Sequence, residues 1–314
     1  MTNIKNIIVT GGSGFIGSHV VERLVYNKHN VCVVDLWESE EIIALKKNKN
    51  FKFISFDFTN FEKLEELMKN YDNIIHLAAI LGTSETITTY DIEDVIKTNI
   101  LGTTKILKFA KKYNYKKTII PTTPDVTWLN PYKITKQAVE RIAQLFNKEY
   151  GLNVVCLKLG NIYGARERWL DAKLNAPFNY QKIIPSFIMD TLKKNEITIY
   201  GDGNQKSEYI YVEDVVESFE RALNKKENFG TEVIHVGSGK NKSVNNIIDA
   251  LEKVWNKKLN KRFVDMRPGE HKIEIVLDPN PLKKYLDYEL KWTLEDGLKK
   301  TIPYYEKQFN SLKK

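Results

Sequence analysis

Cysteine is scarce in this chain of 314 residues, which contains only Cys32 and Cys156. Both lie in apolar, strand-like runs, "NVCVVD" and "NVVCLKLG". We therefore interpret them as small buried hydrophobic residues in a reducing compartment, and not as a disulfide framework. The five histidines are scattered, and no cluster of residues has the spacing of metal ligands, so the sequence predicts no metal site.

Long apolar runs are also absent, since the longest fall well short of a membrane span. The start of the chain, "MTNIKNIIVT", has no apolar core followed by a small-residue cleavage site. We expect a cytoplasmic protein that has no membrane partner. The 48 basic and 40 acidic residues give a net charge of +8. Because no repeated basic–aromatic pattern accompanies that charge, we expect no nucleic-acid partner, while the positive field favours small anions.

Strand-like and helix-like segments alternate through the first half of the chain. The predicted strands are KNIIVT, NVCVVD, FKFISF, NIIHLA, KKTIIP and NVVCLKL. The predicted helices cover residues 14–26, a short segment after residue 38, and residues 61–68, 91–113 and 132–150. This alternation predicts an α/β fold with a doubly wound (Rossmann) parallel sheet and helices on both faces.

After residue 164 the alternation is less regular, which predicts a smaller mixed α/β region packed on the first. Helical patterns continue near residues 185–194, 214–223 and 244–255. We expect a dinucleotide-binding Rossmann domain over residues 1–163 and a substrate-binding region over residues 164–314. The chain is expected to cross between the two, so the boundary is not sharp.

The stretch "IIVTGGSGFIGSHVVERL" carries the clearest motif. Gly11, Gly14 and Gly17 have the spacing G-x-x-G-x-x-G between a predicted strand and an amphipathic helix. Glycines permit a tight turn and let backbone N–H groups approach a pyrophosphate, while the helix N-terminus adds positive potential. The motif therefore predicts a bound dinucleotide.

Acidic residues follow the next two predicted strands. Asp35 lies 18 residues after Gly17, where an acidic residue is placed to bind a ribose 2′-hydroxyl, although a strand-end cap is the alternative. No basic residue follows it closely, and Glu38 does, so NAD is favoured over NADP. Asp57 is placed to bind the adenine amino group, or else to cap the helix that begins at Phe61.

Tyr132 and Lys136 are four residues apart at the start of a predicted helix, so they share a face. A base for a sugar hydroxyl needs a pKa near 7, and lowering a tyrosine from about 10 costs ~4 kcal/mol. A cation about 4 Å away supplies roughly that amount at an effective dielectric constant of about 20. Lys136 is one such cation, and an oxidised nicotinamide ring would be a second. Thr123, at the end of the preceding strand, is placed to orient the substrate oxygen.

These segments together resemble the extended branch of the short-chain dehydrogenase/reductase superfamily, among the NAD-dependent nucleotide-sugar epimerases and dehydratases. The matching segments span nearly the whole chain, and they are TGGSGFIGSHV, FDFTN, HLAA, KTNILGT, YKITK, LGNIYGAR, ITIYGDGNQ, YIYVEDV, RPGE and LKWTLEDGLKKTIPYY.

The resemblance implies that residues of the first region hold NAD, and that the C-terminal region holds a nucleoside-diphosphate sugar. The implied cofactor contacts are Gly11, Gly14, Phe15, Ile16, Gly17, Asp35, Leu36, Asp57, Phe58, Leu77, Ala78, Ala79, Asn99, Tyr132 and Lys136. The implied substrate contacts are Thr123, Asn161, Arg166, Tyr200 and Arg267. Arginine is the natural bidentate partner of a diphosphate, although a surface ion pair is the alternative for each. Relatives often dimerise through two helices, here residues 91–113 and 132–150, so a homodimer, or a tetramer, is expected.

The sequence departs from that family at three places. Only eight residues separate Thr123 from Tyr132, where relatives usually carry a longer loop. This predicts a more open sugar pocket that would admit a heptose. Dehydratases carry Thr-Asp-Glu or Thr-Ser-Glu where this chain has Thr123, Pro124 and Asp125, which disfavours dehydration. The family motif R-D-[FY] reads SEY at residues 207–209, so a phosphate-binding arginine is missing there.

We therefore expect NAD-dependent oxidation at C4 of a nucleoside-diphosphate hexose or heptose, by a 4-dehydrogenase or 4-epimerase of surface-polysaccharide sugar biosynthesis. If the 4-keto product were released, a second carbonyl compound such as a 2-keto acid would have to reoxidise NADH. Two alternatives stay open at this point: a 4,6-dehydratase, and a non-catalytic NAD-binding sensor or scaffold that would not need Tyr132.

Overall fold

The computed structural model describes residues 4–83, 85–125, 129–167, 182–266 and 274–311. The strands in these ranges are β1 (Asn6–Thr10), β2 (Asn30–Asp35), β3 (Phe51–Ser55), β4 (Asn73–His76), β5 (Lys117–Thr122), β6 (Val154–Leu159), β7 (Asn161–Tyr163), β8 (Glu196–Tyr200), β9 (Lys206–Ser207), β10 (Tyr209–Tyr211), β11 (Val233–Val236), β12 (Lys242–Ser243) and β13 (Asn260–Val264). The α-helices are α1 (Phe15–Tyr26), α2 (Glu40–Leu45), α3 (Phe61–Met68), α4 (Glu85–Thr88), α5 (Ile92–Ile96), α6 (Thr103–Lys112), α7 (Pro131–Tyr150), α8 (Ile183–Lys194), α9 (Val212–Asn224), α10 (Val244–Trp255), α11 (Asn280–Leu286) and α12 (Leu294–Ser311).

Seven of these strands form one parallel sheet in the order β11-β6-β5-β4-β1-β2-β3. Parallel neighbours require crossover connections, and the helices of those crossovers cover both faces of the sheet. The predicted doubly wound Rossmann fold is thereby confirmed. The strand order reverses between β1 and β4, and ligands of such sheets bind at the carboxyl ends of the strands beside that reversal.

The core lies on both faces of this sheet. Successive side chains of a strand point to opposite faces, and in β1 Ile7 and Val9 join one buried cluster while Ile8 joins the other. All three are fully buried. Five of the six predicted strands (β1, β2, β4, β5 and β6) are therefore central strands covered on both sides, while β3 is an edge strand and only partly buried.

The helix predicted over residues 91–113 contains an irregular turn. It consists of α5, a π-helical turn over Lys97–Gly102, and α6. Such a turn widens the helix by one residue and is frequent at functional sites. Here it contains Asn99, whose contacts are described below.

The C-terminal region consists of short strand pairs and helices, together with one strand of the main sheet. β7 pairs with β10 and β8 with β13 in parallel, and β9 pairs with β12 antiparallel. β11 returns to the main sheet beside β6. The division at residue 163 thus stays a prediction, because residues beyond it complete the first sheet. Of the helices that the structure describes, none combines the length and apolar character needed to cross a membrane.

The carboxylate of Glu208 holds several C-terminal segments together. Glu208 is fully buried. It accepts hydrogen bonds from the Ser238 hydroxyl at 2.7 Å, from the Ser238 backbone N–H, and from the Leu277 backbone N–H at 2.7 Å. A buried carboxylate satisfied in this way organises the loops that it contacts. Glu208 is therefore a structural residue at the position where the family motif carries its acid.

We expect Glu208→Ala to lower the free energy of unfolding by about 3 kcal/mol, because buried N–H donors would lose their acceptor. Glu208→Gln keeps one acceptor oxygen and should lose less. Urea denaturation measures both, with Glu232→Ala, at an exposed position, as the matched control. Equal midpoints for Glu208→Ala and the control would show that this carboxylate does not stabilise the fold.

Candidate active site

The glycine turn after β1 fits tightly against the segment that follows β4. Gly11 has a φ of +71°, and a Cβ there would lie 2.6 Å from the Ala78 backbone nitrogen. A Cβ on Gly17 would lie 2.2 Å from the Gly11 carbonyl oxygen. Only glycine fits either position. We call residues 11–17 and 77–79 the cofactor cradle.

The cradle leaves polar groups without protein partners. Gly14 is the N-cap residue of α1 and offers no side-chain cap, so the first N–H groups of the helix are suited to an anion. The hydroxyl of Ser13 is buried and has no hydrogen-bond partner in the described part of the chain. A dinucleotide pyrophosphate would satisfy both, so the residues present fit NAD.

Asp35 lies at the carboxyl end of β2, beside the cradle. Its Oδ2 accepts a hydrogen bond from the Ser13 backbone N–H at 2.9 Å, and its Oδ1 accepts one from Leu36 N–H at 2.8 Å. The carboxylate is therefore held next to the glycine turn, while the Leu36 side chain is 65% exposed. This is the position that a ribose-binding acid requires, although ribose binding by Asp35 stays a prediction.

The remaining predicted cofactor residues fall into two groups. Phe15 and Ile16, in the first turn of α1, and Leu77, Ala78 and Ala79, after β4, are partly buried around the cradle.

The second group consists of Asp57 and Phe58, whose side chains contact other groups of the protein. Asp57 Oδ1 accepts a hydrogen bond from Thr59 N–H at 2.8 Å, whereas the cap of α3, which was the alternative to adenine binding, is Asn60. The Phe58 side chain is buried against the His76 ring, with centroids 5.1 Å apart. Their contacts with a cofactor stay predictions.

Asn99 connects the cradle to the helix that carries the predicted catalytic pair. Its amide donates to the Ile80 carbonyl oxygen at 2.8 Å and to Thr135 Oγ1 at 3.0 Å, and its Oδ1 accepts from Ile80 N–H at 2.8 Å. All three bonds are to protein groups. Asn99 therefore positions α7 relative to the segment after β4.

Tyr132 and Lys136 lie in the first two turns of α7. Asn130 caps this helix by accepting a hydrogen bond from Lys133 N–H at 2.9 Å. Lys136 is buried, and burial lowers its pKa to about 8. Among the described residues, no carboxylate forms an ion pair with it. The positive charge of Lys136 is thus left to act on whatever binds beside it.

One pocket, called the main pocket below, brings most of the predicted substrate residues together. Its lining includes Thr123, Tyr132, Asn161 and Tyr200. Thr123 Oγ1 is buried and has no hydrogen-bond partner in the described ranges, so it is available to a substrate oxygen. Asn161 donates to Ser207 Oγ at 2.8 Å. The predicted substrate residue Arg267 lies outside the described residues.

Arg166 lies away from the other predicted substrate residues. Its backbone φ is +68°, and its guanidinium pairs with Glu22 at 2.5 Å and with Glu41 at 3.8 Å. It lines a second pocket together with Ser13 and Gly14, and it is not part of the main pocket. The structure therefore does not place Arg166 with Asn161 and Tyr200, as the sequence interpretation expected, but beside the cofactor cradle.

Lys206, which follows the glycine-rich turn, also lines the main pocket. Its Nζ pairs with Glu274 at 2.7 Å. A cation is thus present close to the missing family arginine, although it is already engaged by a carboxylate.

Asp125, at the position where the dehydratases carry their glutamate, is engaged by a lysine. Lys158 Nζ lies 2.7 Å from Asp125 Oδ2 and 3.2 Å from Glu140 Oε1, and Glu140 accepts a hydrogen bond from Thr122 Oγ1 at 2.7 Å. Burial raises the pKa of Asp125, but the hydrogen bond and charge of Lys158 outweigh it, so the pKa lies below its usual value. Asp125 is not among the described residues that line the main pocket.

Two titratable residues of the main pocket were missed in the sequence. Glu167 is buried and lines both pockets, and burial raises its pKa to about 8. Lys133 is buried beside Tyr132, and burial lowers its pKa to about 8. No local pattern distinguishes either from an ordinary exposed residue, because their burial depends on segments distant in sequence.

Comparison with known proteins agrees with this arrangement. The model of the NAD dependent epimerase/dehydratase family matches residues 7–237. The UDP-glucuronate 4-epimerase of Thermodesulfobacterium geofontis is 28% identical over 335 residues, which cover 98% of both chains. A trifunctional UDP-glucose 4,6-dehydratase/UDP-4-keto-6-deoxy-D-glucose 3,5-epimerase/UDP-4-keto-L-rhamnose-reductase of Arabidopsis thaliana is 30% identical over 330 residues. These cover 96% of this chain but only 47% of that protein, so the chain spans about half of its length.

Solved structures show the same likeness. The UDP-glucuronic acid 4-epimerase of Bacillus cereus, in complex with UDP-glucuronic acid and NAD, superposes with a TM-score of 0.84 at 28% identity, over 96% of this chain and 99% of that one. The UDP-glucose 4-epimerase of Thermotoga maritima, with UDP-glucose, has a TM-score of 0.84 at 31% identity, over 97% of this chain and 99% of that one.

We expect Lys136→Met to stabilise the NAD-free protein at pH 7. The pKa of Lys136 in the folded protein, about 8, lies below its usual 10.5, so folding opposes the charged form and the full penalty applies below pH 8. Removing the charge should raise the free energy of unfolding by up to ~3 kcal/mol. This gain should shrink as the pH rises from 8 to 10.5, where the unfolded chain also loses the proton.

Thermal unfolding across this pH range measures the effect. Lys148→Met is the control, since Lys148 lies on the same helix with a side chain that is 72% exposed. A Lys136→Met protein that is less stable than the control at pH 7 would contradict an uncompensated charge at this position.

Proposed function

Since the chain belongs to the NAD dependent epimerase/dehydratase family and is an NAD-dependent enzyme, we propose that it oxidises the C4 hydroxyl of a UDP-sugar and acts as a 4-epimerase. The observation that carries this proposal is the main pocket, which is lined by Tyr132 and by the unpartnered Thr123 hydroxyl, with the buried Lys136 one helical turn after Tyr132 on α7. The named 4-epimerases among its relatives, two of them solved with UDP-sugars, support the choice of substrate class.

The residues of the chain divide the chemistry between them. NAD, when bound, supplies the acceptor for the hydride that leaves C4 of the sugar. Lys136 supplies the positive potential that favours the phenolate of Tyr132. Tyr132 then takes the proton of the C4 hydroxyl, and Thr123 holds the same oxygen in place. When the 4-keto sugar is reduced on its opposite face, Tyr132 returns the proton to that oxygen and the C4 epimer results.

A 4,6-dehydratase is the second candidate, because the Arabidopsis relative includes that activity. Dehydration requires a base for the C5 proton and an acid for the C6 hydroxyl. At the positions that supply these groups in dehydratases, Pro124 has no proton to give, and Asp125 is paired with Lys158. These contacts favour redox chemistry at C4 over loss of water.

We expect the purified protein to convert a UDP-hexose into its C4 epimer, with neither loss of water nor net formation of NADH. UDP-glucose, UDP-glucuronate and UDP-N-acetylglucosamine form the test panel, and mass spectrometry and proton NMR in deuterated water identify the product. Tyr132→Phe should lower kcat about 10²–10⁴-fold through loss of the general base, while NAD binding persists.

Other outcomes of that experiment decide between the alternatives. Loss of water with solvent deuterium at C5 would establish the dehydratase. Net NADH formation would indicate a 4-dehydrogenase. If none of the three UDP-sugars reacts and NAD binding is the same in Tyr132→Phe as in the wild type, the result would favour a sensor or scaffold and contradict the proposal.

Arg166→Gln should weaken NAD binding about tenfold, or ~1.4 kcal/mol, and leave UDP binding unchanged. Arg166 Nη1 is buried and without a hydrogen-bond partner in the described part of the chain, and Arg166 lines the second pocket beside the cradle. Calorimetric titration with NAD and with UDP separates the two effects. If the affinity for UDP fell and the affinity for NAD did not, Arg166 would be a substrate contact and not a cofactor contact.

A further inference from the structure

Lys133 is a buried cation on the wall of the main pocket. The residue is 9% exposed and follows Tyr132 directly in the first turn of α7. Its backbone N–H donates a hydrogen bond to the side chain of Asn130, the N-cap residue of α7. Among the described residues, however, no group forms a hydrogen bond or ion pair with its Nζ. A buried ammonium group is costly unless an anion compensates it.

The charges around Lys133 do not supply that anion. Lys182 and Lys158 both oppose its protonated form. Asp125 favours this form, but its Oδ2 is engaged by Lys158 at 2.7 Å. The local potential around Lys133 is therefore positive before any ligand binds.

The other carboxylates of the main pocket, Glu167 and Glu85, do not neutralise the positive potential at Lys133. Burial raises the pKa of Glu167 to about 8, so Glu167 is mostly uncharged at neutral pH, and the lysine that acts on it is Lys182. Glu85 lines the pocket, but it is not among the charges that act on Lys133. An anion that enters beside Lys133 thus meets the ammonium group of Lys133 in a positive potential to which Lys182 and Lys158 contribute.

The place of Lys133 in the pocket restricts which part of a substrate supplies the anion. Tyr132, Thr123 and Pro124 share this wall, so the C4 hydroxyl of the sugar has to bind here if Tyr132 is the base. The diphosphate is attached at C1, on the opposite side of the sugar ring from C4. C4 has two neighbours in the ring, C3 and C5. C3 carries a neutral hydroxyl group, whereas C5 of a uronic acid carries a carboxylate, which is the anion that a lysine binds.

We propose that Lys133 binds a carboxylate on C5 of the sugar, which makes nucleoside-diphosphate uronic acids the preferred substrate class and Lys133 the residue that selects them. The inference rests on the proposed function of the same pocket. It adds a role for a residue outside the tyrosine–lysine pair.

UDP-glucuronate and UDP-glucose provide the test, because they differ only in having a carboxylate or a hydroxymethyl group on C5. The wild-type enzyme should show at least about a tenfold higher kcat/KM for UDP-glucuronate, the scale of one hydrogen bond to a charged group. Lys133→Met should lower kcat/KM for UDP-glucuronate about 10- to 100-fold and change that for UDP-glucose less than about threefold. Lys133→Arg should retain part of the preference, and Lys148→Met, on the same helix, should retain all of it.

Calorimetric binding of both sugars to the NAD-loaded Tyr132→Phe protein, with and without Lys133→Met, separates this inference from the proposed function. Tighter binding of UDP-glucuronate that depends on Lys133 supports the inference even if neither sugar is turned over, a result that would count against the proposed function alone. Turnover of both sugars at a ratio that Lys133→Met and Lys133→Arg leave unchanged would overturn the inference and leave the proposed function intact. A wild-type preference for UDP-glucose would also overturn it.

Discussion

The close approach between the glycine turn and the segment after β4 constrains the rest of the site. A Cβ at Gly11 or Gly17 would lie within 2.6 Å of backbone atoms, so α1 can begin directly at the edge of the sheet only with glycine at these positions. This contact lies where the strand order reverses, between β1 and β4. The segment that continues from β4 is bound in turn by Asn99, which also holds α7 through Thr135. The cofactor cradle and the first turns of α7 are thereby fixed relative to each other by a short series of contacts.

The lysines of this region show how similar side chains acquire different functions from their partners. Lys158 is buried, but it is compensated by Asp125 and Glu140, and it serves the structure. Lys133 and Lys136 are buried to a similar degree, and burial lowers the pKa of each to about 8, with no carboxylate paired to either among the described residues. Folding alone gains nothing from an uncompensated cation. Charges of this kind are characteristic of sites that become complete only when a ligand binds.

The sequence was sufficient for the parts of the structure that depend on local pattern. The six predicted runs became strands of the main sheet, five of them central and β3 at its edge, and the tyrosine–lysine pair shares a helix as its spacing predicts. The location of Arg166 beside the cofactor cradle could not be predicted, because its direction depends on a left-handed backbone conformation and on two glutamates from α1 and α2, which no local pattern specifies. Lys133 was missed for a related reason, since its burial depends on segments distant in sequence that line the same pocket. The π-helical turn was predicted as regular helix, because its hydrophobic period hardly differs from that of an α-helix over six residues.

The short strands of the C-terminal region explain how residues from the second half of the chain line the same pocket as Tyr132. β6 lies in the main sheet, and after Gly160 the chain continues directly into β7, which pairs with β10 in a separate sheet. β11 pairs with β6 from the other side and ties the C-terminal region to the same strand. Asn161 and Lys206 thereby line the same pocket as Tyr132. Under the proposed function, the reacting carbon of the nucleotide sugar lies beside Tyr132, and its nucleotide lies toward the residues of the C-terminal region. The orientation of the sugar ring then depends on the groups beside Tyr132. Lys133 lines the main pocket there, and among the described residues no carboxylate forms an ion pair with it.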